Sequence, residues 1–142
     1  MKLKYLLIVP FFMLILTVLS FGIADLFAVN AIEYEREWSR EDAVKDQKDW
    51  DAAAASLKIA MLLNPYNPSY TEAMGRLYIW RYYIDNNPVK SIDEVQDILD
   101  EGLRYVQRSI ELRPVWPSVR VTLRELKAAA EETGLELVSD SK

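Results

Sequence analysis

A run of twenty uncharged residues from Tyr5 to Ala24 is the feature that most restricts how this chain can fold. A helix rises about 1.5 Å per residue, so a run of this length spans roughly 30 Å, the hydrocarbon thickness of a bilayer. Lys2 and Lys4 precede the run, and the first basic residue after it is Arg36. Because positive residues favour the cytoplasmic side, we expect one transmembrane helix with a cytoplasmic N-terminus and an exported C-terminal part.

A cleaved signal peptide is the alternative interpretation of the same segment. Lys2 and Lys4 would form its basic end, and the small residues of Gly22-Ile23-Ala24 offer a cleavage point before Asp25. The apolar regions of signal peptides run about 7–15 residues, which is shorter than this run. We therefore expect the segment to be retained as an anchor.

Charge and composition narrow the classes of function. The chain of 142 residues has a net charge of −5, and without Lys2 and Lys4 it carries 15 basic and 22 acidic residues, or −7. This sign disfavours nucleic acid and anionic lipid headgroups as partners. The chain has no cysteine and no histidine, which excludes disulfides, haem ligation through those residues, and Ser-His or Cys-His catalysis. We expect no enzymatic activity, no cofactor and no bound metal.

The remainder of the chain has the pattern of an all-α fold, because the whole chain contains four glycines and the remainder has no alternating Val/Ile/Thr runs. We divide it into an anchor with its cytoplasmic end (1–28), an exposed helical stalk that continues the membrane helix (29–48), a helical domain (49–134) and a loose tail (135–142). Composition therefore predicts a single small domain outside the membrane.

Capping signals place the ends of several helices. Ser69-Tyr70-Thr71-Glu72 and Ser91-Ile92-Asp93-Glu94 both have the Ser-x-x-Glu pattern of a capping box. Gly134 follows the last helical pattern and suits a left-handed C-terminal cap. These signals predict helices that begin near Ser69 and Ser91 and one that ends at Gly134.

One internal repeat organises the predicted helices. Leu63-Asn64-Pro65-Tyr66-Asn67-Pro68-Ser69 recurs 49 residues later as Leu112-Arg113-Pro114-Val115-Trp116-Pro117-Ser118. The pattern resembles the tetratricopeptide repeat, in which the second helix of each hairpin ends in a proline. The residues that match its small, large and proline positions are Ala53, Leu57, Ala60, Pro65, Gly75, Tyr78, Gly102, Val106, Ser109 and Pro114.

The spacing departs from the standard repeat, which has a period of about 34 residues, and one complete hairpin is present. A solenoid needs about three repeats to bury its apolar faces. The resemblance therefore implies a TPR-like domain of helical hairpins whose core is completed by the stalk helix, by the fifth helix or by a partner.

A narrower resemblance covers Leu63 to Tyr83, LNPYNPSYTEAMGRLYIWRYY. Behind an N-terminal anchor, this segment resembles the VpsP-type family, small single-span bacterial proteins that accompany exopolysaccharide biosynthesis. The resemblance implies an accessory role beside glycan synthesis or export machinery at a bacterial inner membrane, with the helical domain in the periplasm. It supplies no catalytic residues.

The third predicted helix has the most unusual local composition. It is apolar on two faces, so we expect Tyr78 and Trp80 to lie in the core between neighbouring helices. Aromatic rings with polar tips and arginines are enriched at protein interfaces, which makes a partner-binding surface a hypothesis for Arg76, Arg81, Tyr82 and Tyr83. A glycan-stacking platform on the same residues is an open alternative.

The fourth predicted helix carries several carboxylates, among them Asp93, Asp97, Asp100 and Glu101. Such spacing can serve a divalent cation or acid/base chemistry. However, Asp100, Arg104 and Arg108 are spaced by fours, as in a solvated helix face with ion pairs. We interpret the acidic residues as such a face.

Together these patterns predict a membrane-anchored, TPR-like scaffold that binds protein partners in a membrane complex. Two alternatives stay open. The protein is a small accessory subunit if its transmembrane helix packs against a larger membrane protein through Gly22 or its aromatic residues. It is a periplasmic glycan-binding protein if an exposed aromatic groove with paired carboxylates exists.

Overall fold

The computed structural model describes residues 2–41, 46–84 and 91–137. These ranges form five helices and no strand, which confirms the predicted all-α class. The helices are α1 (Lys2–Glu41), α2 (Gln47–Leu63), α3 (Pro68–Tyr82), α4 (Ile92–Leu112) and α5 (Pro117–Thr133). The TPR-like character of the hairpins stays a prediction.

α1 is one unbroken helix of 40 residues with two kinds of surface. From Ile8 to Leu19 every side chain is exposed, and the helix from Ile8 to Arg40 is long and apolar enough to contain a candidate membrane span. Pro10 lies within the helix. From Ala24 onwards the surface becomes one-sided, since some side chains face solvent while others are buried. A helix that is apolar all round suits lipid, whereas a one-sided helix suits the wall of a domain.

The outer half of α1 packs along α2, which corrects the exposed stalk expected from the sequence. Ala24, Ala28, Ala31 and Trp38 are all buried in a cluster with α2 and α3. Alanines at these spacings present no bulk, so the two helix backbones approach closely. Residues 42–45 of the predicted stalk lie outside the described ranges. The stalk segment up to Trp38 is therefore a wall of the domain.

α3 is the central helix and contacts every other helix of the described structure. Tyr70, Ala73, Met74 and Leu77 belong to the core cluster shared with α1 and α2. Ile79 belongs to a second cluster shared with α4 and α5. This arrangement confirms the prediction that the third helix is apolar on two faces because it is sandwiched.

The residues that match the repeat pattern occupy the positions that packing requires. Tyr78 is half-buried, and the two repeat prolines, Pro65 and Pro114, are exposed in the turns that follow α2 and α4. The other matching residues are buried: Ala53, Leu57, Ala60, Gly75, Gly102, Val106 and Ser109. The pattern therefore marks helix contacts and turns.

Two of the three predicted caps are confirmed. Ser91 and Glu94 form a reciprocal capping box at the start of α4, and Gly134 adopts a left-handed conformation with φ 70° after α5. The box predicted at Ser69 is wrong. Asn67 caps α3 through its side-chain oxygen, which accepts from the Ser69 amide, while the Glu72 carboxylate turns into the interior.

The described part of the predicted tail is held against the domain. Leu137 packs on the second core cluster, and the Glu136 carbonyl accepts a hydrogen bond from the Gln96 amide at 3.1 Å. Residues 138–142 lie outside the described ranges. The loose character expected for the tail therefore does not apply to its first three residues.

Close contact between α3 and α4 predicts that Gly75→Ala destabilises the protein. A Cβ at Gly75 would lie 2.5 Å from Val106 Cγ2. Overpacking of this kind costs about 1–3 kcal/mol of unfolding free energy, which we would measure by thermal denaturation of the full chain in detergent. Gly22→Ala is the matched control, because a Cβ there meets nothing within 4 Å. Equal stability of the two variants would contradict the close packing.

Candidate functional site

A groove opens on one side of the domain between α1 and α5, with α3 as its floor. In the described ranges α1 and α5 each contact α3 but do not contact each other. The groove has a volume of about 600 Å³, and its lining residues are Glu35, Ser39, Arg76, Ile79, Trp80, Tyr83, Glu125 and Ala128. We call it the α1–α3–α5 groove. Its size suits a few side chains of another molecule.

An ion-pair network on the groove floor joins three helices. Arg76 of α3 donates from Nη1 to Glu72 at 2.8 Å and from Nε to Glu35 of α1. Glu72 is 3% exposed, and its second carboxylate oxygen accepts from the Ser118 hydroxyl of α5 at 3.0 Å. A buried carboxylate needs such partners, because burial of an unpaired charge is costly. The network therefore fixes the positions of both groove walls relative to α3.

The network keeps a permanent cation inside an acidic groove. Burial opposes the charged form of Arg76, but the hydrogen bond and charge of Glu35, followed by the charges of Glu72 and Glu125, raise the pKa of its guanidinium. One arginine is therefore surrounded by three carboxylates, and the net charge of this group of side chains is negative. This excess favours a cationic group in any ligand of the groove.

Aromatic side chains form the end of the groove away from the candidate membrane span. The Trp80 ring meets the Trp38 ring edge-on at a centroid distance of 6.4 Å, which connects α3 to α1. Tyr83 is exposed, and its ring meets that of Tyr82 at 4.7 Å. Burial raises the pKa of the Tyr83 phenol, so the ring stays neutral near pH 7. The groove therefore combines an apolar, aromatic end with an acidic centre.

The four predicted partner-binding residues lie on different sides of α3. Arg76 and Tyr83 both line the groove, because seven residues are nearly two helical turns. Tyr82 packs against the second core cluster. Arg81 points to the opposite side, where its guanidinium carbon lies 4.5 Å from the centre of the Trp50 ring. They do not form one continuous surface, and partner binding by any of them stays a prediction.

A second, more open cleft lies on the Arg81 side of the domain. Its volume is about 630 Å³, and its lining residues are Tyr78, Arg81, Asp97, Ile98, Asp100, Glu101 and Arg104. Burial raises the pKa of the Tyr78 phenol to about 12, so the phenol is neutral there. Among the residues that the structure describes, no cluster of three or more acidic side chains is arranged to hold a metal ion.

The α4 surface has ion pairs at a different spacing from the one the sequence suggested. Arg104 pairs with Glu101, and Arg108 pairs with Glu111, three residues apart in each case. The Asp100 carboxylate accepts a hydrogen bond from Gln96 at 2.8 Å. Both arginines are exposed, as expected for a solvated helix face.

Glu35 and Glu125 are groove residues that no sequence motif indicated. Glu35 lies 41 positions from Arg76 along the chain, so no local pattern connects the two. One signal was present in the sequence: the spacing of Ala24, Ala28 and Ala31 marks a close-packing face on the outer half of α1. That face shows α1 to be part of the domain and brings Glu35 within reach of α3.

Comparison with known proteins identified no similar protein. No protein-family model, no curated protein and no solved structure matches the chain. The resemblances to the tetratricopeptide repeat and to the VpsP-type family therefore stay predictions.

The buried network predicts that Arg76→Ala is strongly destabilising. Removal of the guanidinium leaves the Glu72 carboxylate buried with the Ser118 hydroxyl, and breaking a buried ion pair costs about 3–5 kcal/mol. Arg104→Ala is the matched control, because exposed pairs contribute about 1 kcal/mol or less. Thermal denaturation of the full-length variants measures both effects. Adding Glu72→Gln to Arg76→Ala removes the buried charge and should recover part of the stability; no recovery would contradict this account.

Proposed function

We propose that the protein is a membrane-anchored scaffold that recruits a partner protein through the α1–α3–α5 groove. The observation that carries this proposal is that a single helix, α1, supplies both the candidate membrane span and one wall of the groove. Glu35 lies eleven residues beyond Ala24, which is roughly 16 Å along a helix. The groove is therefore held close to the bilayer surface, within reach of the juxtamembrane segments of other membrane proteins.

The chemistry of the groove defines the partner segment. Its acidic centre selects a lysine or arginine side chain, with Glu125 on the α5 wall as the carboxylate nearest solvent. Its aromatic end, formed by Trp80 and Tyr83, selects a neighbouring apolar or aromatic side chain. We propose a short partner segment in which a basic residue adjoins an apolar one. Confinement of both proteins to one membrane raises their effective concentration, so a groove of modest affinity suffices.

The proposed location follows from the charges around the anchor. Lys2 and Lys4 keep the N-terminus in the cytoplasm, and the helical domain lies on the other side of the membrane. In a bacterial cell this side is the periplasm. On the VpsP-type resemblance, the partner belongs to glycan synthesis or export machinery.

A glycan ligand is the second candidate, because the groove places aromatic rings and carboxylates together. Trp80 and Tyr83 line it with Glu35 and Glu125, as a sugar-binding groove requires. However, the Glu35 carboxylate is already bound by Arg76, and Trp80 is packed against Trp38. Few groups therefore remain to bind a sugar ring, which favours the protein partner. In the accessory-subunit alternative, the open space around Gly22 would admit another transmembrane helix.

The proposed orientation predicts how a single introduced cysteine reacts in spheroplasts. Glu131→Cys places a thiol on the exposed surface of α5 in a chain that has no other cysteine. A membrane-impermeant maleimide should label it equally before and after lysis, because the domain lies outside the cytoplasm. Labelling only after lysis would contradict the orientation. Replacing Lys2 and Lys4 by Glu should lower the labelling of intact spheroplasts.

The groove hypothesis predicts site-specific cross-linking in native membranes. A photoreactive phenylalanine analogue at Tyr83 should give one discrete protein adduct, whereas the same analogue at Arg104, on the other side of the domain, should not. Glu125→Arg should abolish the Tyr83 adduct, since it reverses the charge that selects the basic partner residue.

Three outcomes would contradict this groove. An equal adduct at Arg104 would mean that binding is not confined to the groove. A Tyr83 adduct that persists in Glu125→Arg would remove the electrostatic selection. Loss of the adduct when the isolated α1 anchor is present as a competitor would favour the accessory-subunit alternative.

A further inference from the structure

The turn between α2 and α3 is uncharged and exposes large apolar side chains. No charged residue occurs between Lys58 and Glu72, a stretch of thirteen residues. Within it, Leu62 is 81% exposed and Tyr66 is 76% exposed. Single exposed apolar residues are ordinary on a protein surface, but an uncharged stretch of this length with two of them is less so. We call the segment from Ile59 to Ser69 the first corner.

Contacts with α1 fix the height of the first corner relative to the candidate membrane span. The Ser20 hydroxyl donates to the Leu63 carbonyl at 3.1 Å, so the last turn of α2 lies beside the apolar run of α1. The Tyr70 hydroxyl donates to the carboxylate of Asp25, the first charged residue after that run. Ser20 lies about 7 Å before Asp25 along the helix. A bilayer that covers the whole run would therefore reach the first corner.

The turn between α4 and α5, Arg113 to Trp116, lies at the same end of the domain. The Ser109 hydroxyl near the end of α4 donates to the Pro68 carbonyl at 2.9 Å, which connects the two turns. Val115 is 85% exposed, and the Arg113 guanidinium carbon lies 3.8 Å from the centre of the Trp116 ring. Tyrosine, tryptophan and arginine are residues whose apolar body and polar tip suit the lipid–water interface.

We propose that the first corner, with the α4–α5 turn beside it, is seated in the outer interface of the bilayer that α1 spans. The occupant of this surface is lipid, because contacts with α1 bring the surface to the level of the membrane and its main part, the first corner, carries no charge. Leu62 and Tyr66 enter the boundary between acyl chains and headgroups. The contact is apolar and does not depend on anionic headgroups, in agreement with the negative charge of the domain.

This contact gives the domain a second attachment to the membrane besides α1. Two points of attachment restrict the tilt and rotation of α1 in the bilayer together with the domain packed on it, so the α1–α3–α5 groove keeps one orientation above the bilayer. The inference rests on the proposed membrane span of α1 and is independent of what the groove binds.

Fluorescence quenching by lipid tests this seating with the full-length chain. Single cysteines at Leu62 or Tyr66 are labelled with an environment-sensitive dye and reconstituted in phosphatidylcholine vesicles that contain spin-labelled lipid. Ile92→Cys is the matched control, because Ile92 is apolar and 71% exposed but begins α4 at the opposite end of the domain. We expect quenching at Leu62 and Tyr66 at least about twofold stronger than at Ile92, with blue-shifted emission.

Several results would overturn the proposal. In one of them, the protein floats with the vesicles while the dyes at positions 66 and 92 show equal, water-like emission. This result would disprove the seating but not the membrane anchor. Failure of the protein to float with the vesicles would remove the membrane span on which the inference rests. A blue shift at Tyr66 that spin-labelled lipid does not quench, and that disappears when excess lipid dilutes the protein, would show a second copy of the chain as the occupant.

Discussion

The unbroken course of α1 from Lys2 to Glu41 is the constraint on which the rest of the structure depends. The helix has no break between its apolar half and its one-sided half, so the two halves form one continuous rod. The buried alanines of the outer half bring α2 against this rod, and α2 in turn positions α3. Every later helix is thus placed relative to the candidate membrane span. A flexible linker after Ala24 would have allowed the domain to move independently of the candidate membrane span.

The charge network around Arg76 determines how the two sides of the domain meet at α3. The hydrophobic effect is non-directional, so burial of apolar surface alone does not specify one position of the helices relative to each other. The buried Glu72 carboxylate has partners on its own helix and on α5, and Arg76 connects it to α1 through Glu35. A shift of α5 would remove the Ser118 hydrogen bond from the buried Glu72 carboxylate, and a shift of α1 would separate Glu35 from Arg76, so both shifts are costly. The network therefore specifies one arrangement of the groove walls.

The proposed functions of the two surfaces depend on the same geometry. α1 places the groove roughly 16 Å beyond the apolar run, and the packing of α2 brings the first corner back to the end of that run. In the proposed arrangement, one surface faces along the membrane towards other proteins, and the other faces the membrane itself. Under this proposal, a domain with an acidic surface can lie close to a bilayer, because the corner proposed to contact lipid carries no charge.

The sequence by itself determined the all-α class, the candidate membrane span, the capping box at Ser91 and the end of α5 at Gly134. These features depend on residues within a few positions of one another, which hydrophobic patterns and caps report directly. Only the tertiary structure decided that Glu72 turns inwards instead of capping α3, and that Arg76 lines the α1–α3–α5 groove while Arg81 stacks on Trp50. Both outcomes depend on partners in distant segments, such as Glu35 and Ser118, which are 41 and 46 positions away from the residues they bind. A local sequence pattern does not predict such contacts, because they form only when the helices pack together.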